Sequence, residues 1–241
     1  MITAKGFIDQ IYLDERRAAR LSCPPDLRPG PGQYLLASTR SNPAVPLALP
    51  VYTTGNYPGG FYVAAPLPNG ANWLPGTALD LRGPLGRGFN LPAQARKVAL
   101  AAPVGNGTRV LALLEPALAQ NASVVLCCDQ PPADLPAALE ILPAAALLEI
   151  TIWADYLACQ VPREHLPGLL NLLTPERSNM YPAGRPSSTN SIAPRSNSAQ
   201  VLVETPVPCA GLADCGVCAV SLRPGRDFKL ACKDGPVFDI Y

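Results

Sequence analysis

Four of the eight cysteines in this 241-residue chain stand within one short segment, CAGLADCGVCAVSLRPGRDFKLACKDGPVF (209–238), and that segment limits what the chain can fold into. Cys209, Cys215, Cys218 and Cys232 are spaced C-x5-C-x2-C-x13-C, three thiols on one loop and a fourth arriving later. Structural zinc more often takes two paired knuckles, because a tetrahedral ion draws two ligands from each of two turns. Only one such pair, Cys215 and Cys218, exists here. A [2Fe–2S] rhomb is larger, needs two thiolates on each iron, and suits a wrapping loop with one distant ligand; plant-type ferredoxins use C-x4-C-x2-C…C. The present loop is one residue longer. Gly211 and Gly216 fit the same reading, since backbone must pass close to the inorganic sulfides and donate N–H groups to them. Zinc and four unliganded thiols stay open as alternatives.

Composition bounds the rest. Lys plus Arg number 19 against 18 for Asp plus Glu, with no basic run or aromatic stripe, so no nucleic-acid partner is expected. With 48% apolar residues the chain can bury a large core and divide into two or three units. The N-terminus meets charge within a few residues, and the apolar stretches around 98–114 and 135–153 are broken by Pro103, Pro136 and Pro143, so no membrane span is expected. The expectation is a soluble, cytoplasmic protein, in whose reducing surroundings clustered thiols ligate metal rather than pair as disulfides. Cys23, Cys127, Cys128 and Cys159 lie in apolar context and read as small core residues. His165 reads as a solvated surface histidine.

Residues 1–93 read as short β segments divided by proline and glycine, KGFIDQIYL, GQYLLAST, VPLALPVYTT, GGFYVAAPL and TALDLRGPL, spaced as in a small antiparallel barrel. From residue 94 the pattern becomes β-α-β: KVALAAPVG (97–105) as strand, GTRVLALLEPALAQ as helix, ASVVLCCD (122–129) as buried strand. LPAALEILPAA and LLEITIWAD continue the alternation, with Asp155 and Tyr156 at a strand's end, and REHLPGLLNLL (163–173) reads as helix. A parallel sheet covered by helices is the simplest arrangement. Residues 174–198 are polar, proline-bearing and irregular, and separate this 94–198 unit from a cysteine module at 199–241. In that module CAVSL (218–222) and FKLACKDGPVF (228–238) read as a hairpin, turned by RPGRD, with Cys232 in its second strand.

This order of barrel, α/β unit and cysteine module resembles the electron-transfer subunit of the two-component bacterial dihydroorotate dehydrogenase, within the ferredoxin-reductase-like superfamily. The resemblance runs through PGQY (31–34), GPLGRGF (83–89), VLVETPVPCAGLADCGVC (201–218) and CKDGPVF (232–238). It implies an FAD-binding barrel, an α/β unit of nicotinamide-binding type, and a [2Fe–2S] cluster on Cys209, Cys215, Cys218 and Cys232 that passes electrons to a flavin-containing catalytic dehydrogenase in a hetero-oligomer. It also implies that Gly83, Pro84, Leu85 and Gly86 face the flavin and dinucleotide region, and that Gly105 and Gly107 belong to the dinucleotide turn.

The chain departs from the family at its cofactor sites. Where the family carries an arginine clamp for the FAD pyrophosphate and a supporting serine, the aligned stretch is Leu49, Pro50, Val51 and Tyr52, which supplies no guanidinium, leaving Arg40 as a replacement cation. The family's glycine run after the first α/β strand is AAPVGNGTR (101–109), with proline removing a donor. YPAGRP (181–186) keeps only a remnant of its Cys-Gly-Pro signature. NAD is therefore not expected, and FAD is left open. The expected function is an iron–sulfur electron-transfer subunit; a cluster-only relay without FAD or NAD and a zinc-stapled interaction protein are the alternatives.

Overall fold

A computed structural model describes residues 2–13, 15–39, 47–173, 198–222 and 228–240. Strands β1 (Ile2–Ile11), β2 (Arg17–Ser22), β3 (Tyr34–Ser38), β4 (Leu49–Tyr57), β5 (Gly60–Ala64) and β6 (Ala78–Leu85) close an antiparallel barrel in the order β1-β2-β5-β4-β3-β6. Ile8, Leu21, Leu35, Val51, Phe61, Val63, Leu79 and Leu81 fill its interior. Burying each such side chain is worth about 1.5–3 kcal/mol. The arginines and alanines of β2 carry weak strand propensity, which hid it from sequence reading, yet pairing on both flanks fixes it in place.

Beyond the barrel come β7 (Lys97–Ala102), helix α1 (Leu114–Ala119), β8 (Ser123–Cys128), β9 (Glu140–Leu142), α2 (Leu147–Trp153), β10 (Tyr156–Pro162), α3 (Leu166–Leu173) and β11 (Ser198–Glu204). A short hairpin, β12 (Ala219–Val220) and β13 (Lys229–Leu230), then leads through the helical turn α4 (Ala231–Asp234) to β14 (Val237–Asp239). The main sheet runs β14-β11-β10-β7-β8-β9, parallel except for β14 against β11. Alternation along β7 sends Ala99 and Ala101 to one face and Val98, Leu100 and Ala102 to the other, so the sheet is buried on both sides. Cys127 and Cys159 lie in one layer and Cys128 in the other, all buried; Cys23 is half-buried in the barrel wall.

Four elements differ from the sequence reading, the first being LPAALEILPAA, which holds the short strand β9 where the continued alternation calls for a helix. LLEITIW is a helix, because Leu147, Ile150 and Ala154 bury one face at helical spacing while Ile152 is 67% exposed. The strand is instead YLACQVP, the central β10, so Asp155 precedes a strand rather than ending one; its carboxylate accepts the backbone N–H groups of Arg96 (2.9 Å) and Lys97 (3.0 Å). Cys232 sits on α4, not in a strand. The expected irregular span 174–197, YPAGRP within it, Arg40 and the RPGRD turn lie outside the described residues. The sheet takes in β11 and β14, so the cysteine segment is inserted between two of its strands.

GPLGRGF and CKDGPVF meet in space. The Arg87 N–H donates to the Gly235 carbonyl, Val237 N–H donates to Arg87 O at 3.4 Å, and the Arg87 guanidinium holds Asp239 at 2.9 Å. Gln200 extends this seam inward: its carbonyl accepts Tyr156 Oη–H and Asn90 N–H, both at 2.7 Å, and its amide donates to Asp239 at 2.8 Å. Gly86 has φ +78°, and a Cβ there would stand 2.5 Å from Pro236 Cδ and 2.7 Å from Gly235 O. Gly86→Ala is expected to cost about 3 kcal/mol through strain and overlap, lowering Tm by about 6–12 °C in thermal unfolding. Gly55→Ala, with nothing within 4 Å of the added carbon, is expected to change stability by less than about 1 kcal/mol.

Candidate metal centre

The four clustered cysteines come from two structural sources. Cys209, Cys215 and Cys218 lie on the loop between β11 and β12, and Cys232 on α4. Ala210, Gly211, Ala213 and Gly216 all take positive φ (51°, 75°, 65° and 66°), which coils the loop tightly and turns backbone N–H groups toward its centre. Leu212 N–H donates to Cys209 O at 3.2 Å, and Ala219 N–H to Gly216 O at 3.0 Å. Ala231 N–H donates to Cys218 O at 3.0 Å, which sets the third and fourth thiols side by side, and the Asp234 carboxylate accepts Leu230 N–H at 2.9 Å to begin α4. The Arg163 guanidinium reaches across from the start of the α3 region to the Val217 carbonyl.

The thiols pair two by two. Desolvation raises the Cys209 pKa, but the Cys215 thiol and the backbone N–H groups of Asp214, Cys215 and Ala213 outweigh it and bring it down to about 6. Burial pushes Cys232 up to about 12, followed by its hydrogen bond with Cys218 and the charges of Cys218 and Cys209. Cys218 and Cys232 are 1% and 6% exposed, Cys209 is half-buried and Cys215 is exposed. Among the described residues no three His, Cys, Asp or Glu side chains converge on a single ion position. Two pairs, Cys209 with Cys215 and Cys218 with Cys232, match a cluster that takes two thiolates per iron, and the inward N–H groups supply the donors such a cluster needs.

Tyr34 of PGQY, a residue the sequence reading did not assign to the site, reaches it from β3. It is 1% exposed, and its hydroxyl has no hydrogen-bond partner. Burial, then Tyr52, then the Cys232, Cys218 and Cys209 thiols push its pKa upward, so it stays protonated. A Cβ on Gly211 would stand 3.7 Å from its hydroxyl.

Of the other expected cofactor residues, Leu85 lies against the cysteine loop, 3.7 Å from where a Cβ on Gly211 would stand. Gly83, Pro84 and Leu85 end β6 and Gly86 follows, packed on the Gly235–Pro236 segment and Tyr34. Gly105 and Gly107 follow β7; Gly107 packs on Ala102 and Leu126, and Gly105 lines a cavity of about 240 Å³ with Asn106, Arg109, Gln130, Gln160 and Glu204. That cavity's one cation, Arg109, is committed: it holds Glu204 at 2.6 Å and lies 4.5 Å over the Tyr52 ring. Tyr34 covers Tyr52 from another side, with ring centroids 5.6 Å apart. A flavin needs an open ring face and a cation for its pyrophosphate. Among the described residues the Tyr52 ring is covered by Tyr34 and Arg109, and the Arg109 charge is already paired with Glu204. His165 is exposed, as expected.

By class the fold is ferredoxin-reductase-like. A structure of an NADH-dependent reduced ferredoxin–NADP oxidoreductase, described for flavin-based electron bifurcation, superposes with a TM-score of 0.68 at 16% identity, over 98% of this chain and 88% of that one. The ferredoxin reductase of carbazole 1,9a-dioxygenase gives 0.59 at 17% identity, over 72% and 65%. An Amycolatopsis cytochrome P450 reductase gives 0.52 at 13%, over 73% and 67%. Within that class, residues 211–241 match the family model of the iron–sulfur cluster binding domain of dihydroorotate dehydrogenase B, a span that holds Cys215, Cys218 and Cys232. No curated protein sequence matches the chain. No helix among the described residues is long and apolar enough to cross a membrane.

The thiol electrostatics are open to direct measurement. In metal-free protein, iodoacetamide at pH 7 is expected to alkylate Cys209 ahead of Cys232, because the first is mostly thiolate and the second is not. The Cys209 rate should fall as pH drops through about 6, read by peptide mass spectrometry.

Proposed function

We propose that this protein is an iron–sulfur electron-transfer subunit that carries one [2Fe–2S] cluster on Cys209, Cys215, Cys218 and Cys232 and serves a flavin-containing dehydrogenase partner. The observation that carries the reading is the pairing of the four thiols beneath a loop whose backbone N–H groups of Ala213, Asp214 and Cys215 face Cys209. When bound, the cluster accepts and releases one electron at a time. The residues do the rest. Cys218 and Cys232 belong to the apolar layer with Val220, Ala231 and Phe238, which keeps water from that half of the site. Cys215 is exposed, with Leu212 and Val217 exposed on the same loop, so electrons enter or leave by this edge. No acid, base or nucleophile is required.

The cluster-only form of this reading is favoured over a full reductase by the engagement of Tyr52 and Arg109 with each other and with Glu204. The barrel and sheet then act as the frame that presents the cysteine loop to a partner. We place the boundaries of the functional units at 1–93, 94–198 and 199–241, the last holding every proposed ligand and lending β11 and β14 to the sheet of the second. Eight free thiols suit a reducing compartment.

Anaerobically purified protein is expected to show broad visible iron–sulfur absorption and to release less than about 0.1 flavin per chain on heating, as for a site lacking its phosphate cation. Cys209→Ser, Cys215→Ser and Cys218→Ser should each cost more than half of the visible absorption, whereas Cys23→Ser leaves it unchanged. Stoichiometric flavin would instead mean that the full reductase is correct.

A further inference from the structure

Among the described residues the hydroxyl of Tyr34 is the buried side-chain oxygen beside the cysteine loop that has no hydrogen-bond partner. Its ring is held from several sides: Leu36, Tyr52, Ala64, Leu202 and Val237 share its apolar cluster, and a Cβ on Gly86 would meet its Cε1 at 3.1 Å. The phenol therefore has no freedom to swing to solvent. A buried hydroxyl left unpaired is costly, and an orphan beside a loop of thiols points to a group that completes it. Three of the four thiols lie close enough to Tyr34 to raise its pKa, and burial keeps the proton on the oxygen. Among the described residues no protein acceptor meets it, while the loop beside it brings sulfur.

We propose that Tyr34 donates an O–H···S hydrogen bond to a sulfur of the cluster, a thiolate or an inorganic sulfide, and thereby raises the cluster's reduction potential. The inference rests on the cluster reading above. Reduction adds one negative charge to the cluster, the donor stabilises the charged state more than the oxidised one, and the proton stays on Tyr34 throughout. Tyr34 is thus a tuning residue: it carries no electron and ligates no iron. Its place in PGQY gives that barrel segment a role at the cluster, on the far side of the barrel wall from the interior.

The test is Tyr34→Phe, which removes the oxygen and keeps the ring, with Tyr52→Phe as a control that removes a neighbouring hydroxyl. The cluster potential is read by redox titration monitored by electron paramagnetic resonance, and Fe–S stretching frequencies by resonance Raman in H2O and D2O. For Tyr34→Phe the reduced-to-oxidised ratio at a fixed ambient potential should fall about tenfold, a 59 mV drop for one electron, and the deuterium sensitivity should shrink. Tyr52→Phe should leave both near wild type. A fully loaded Tyr34→Phe protein with unchanged potential and unchanged isotope shift overturns the proposal. Wild-type protein that holds no iron overturns the cluster reading itself, a distinct failure visible before any titration.

Discussion

The seam between Arg87 and the Gly235–Pro236–Val237 segment is the contact on which the rest of the architecture depends. It joins the barrel's exit to the strand that returns from the cysteine loop, through main-chain hydrogen bonds, the Arg87–Asp239 pair and the Gly86 contact with Pro236. The Arg87–Asp239 pair itself is about half exposed, so its charge attraction contributes little; the backbone bonds and the absence of a side chain at Gly86 matter more. With β14 fixed there, α4 and Cys232 are fixed as well, and the loop carrying the other three thiols is pulled against Tyr34. Gln200 spreads the same constraint into the sheet by joining buried Tyr156 to Asn90 and Asp239 at the surface.

The cysteine loop and the cavity beside Arg109 are linked by two tyrosines. Tyr34 faces the thiols and Tyr52 faces Arg109, and the two rings, register partners of β3 and β4, touch on the outer face of the barrel wall. The Tyr52 ring lies under Arg109, the cation of the adjoining cavity, which Glu204 neutralises. Gln160 closes the arrangement by donating to Glu204 at 2.6 Å and accepting Arg109 N–H at 3.0 Å. Arg109, Glu204, Gln160 and Tyr52 thus form a charge-balanced joint between barrel and sheet, beside the cavity that Gly105 lines.

Much of this was legible in the sequence. Five of the six barrel strands announced themselves by apolar segments between proline and glycine, and KVALAAPVG and ASVVLCCD by continuous apolar runs. The four thiols were marked by spacing alone. What stayed hidden was decided by tertiary context. The β-branched run Ile150–Thr151–Ile152 resembles a strand but is helical because only one side meets the core, while β10 is disguised by Gln160 and Pro162 although it is the centre of the sheet. The contact of GPLGRGF with CKDGPVF gave no sequence signal, because the two lie more than a hundred residues apart. Tyr34 gave no signal as a site residue, since a tyrosine in a strand is ordinarily core; only its unpartnered hydroxyl distinguishes it.

The account turns on what the paired thiols hold, and the most direct measurement is iron, zinc and acid-labile sulfide per chain in protein purified without oxygen. A [2Fe–2S] centre on Cys209, Cys215, Cys218 and Cys232 requires about two irons and about two sulfides per chain, with no stoichiometric zinc. About one zinc per chain without sulfide would contradict the account and leave the cysteine loop as a structural staple.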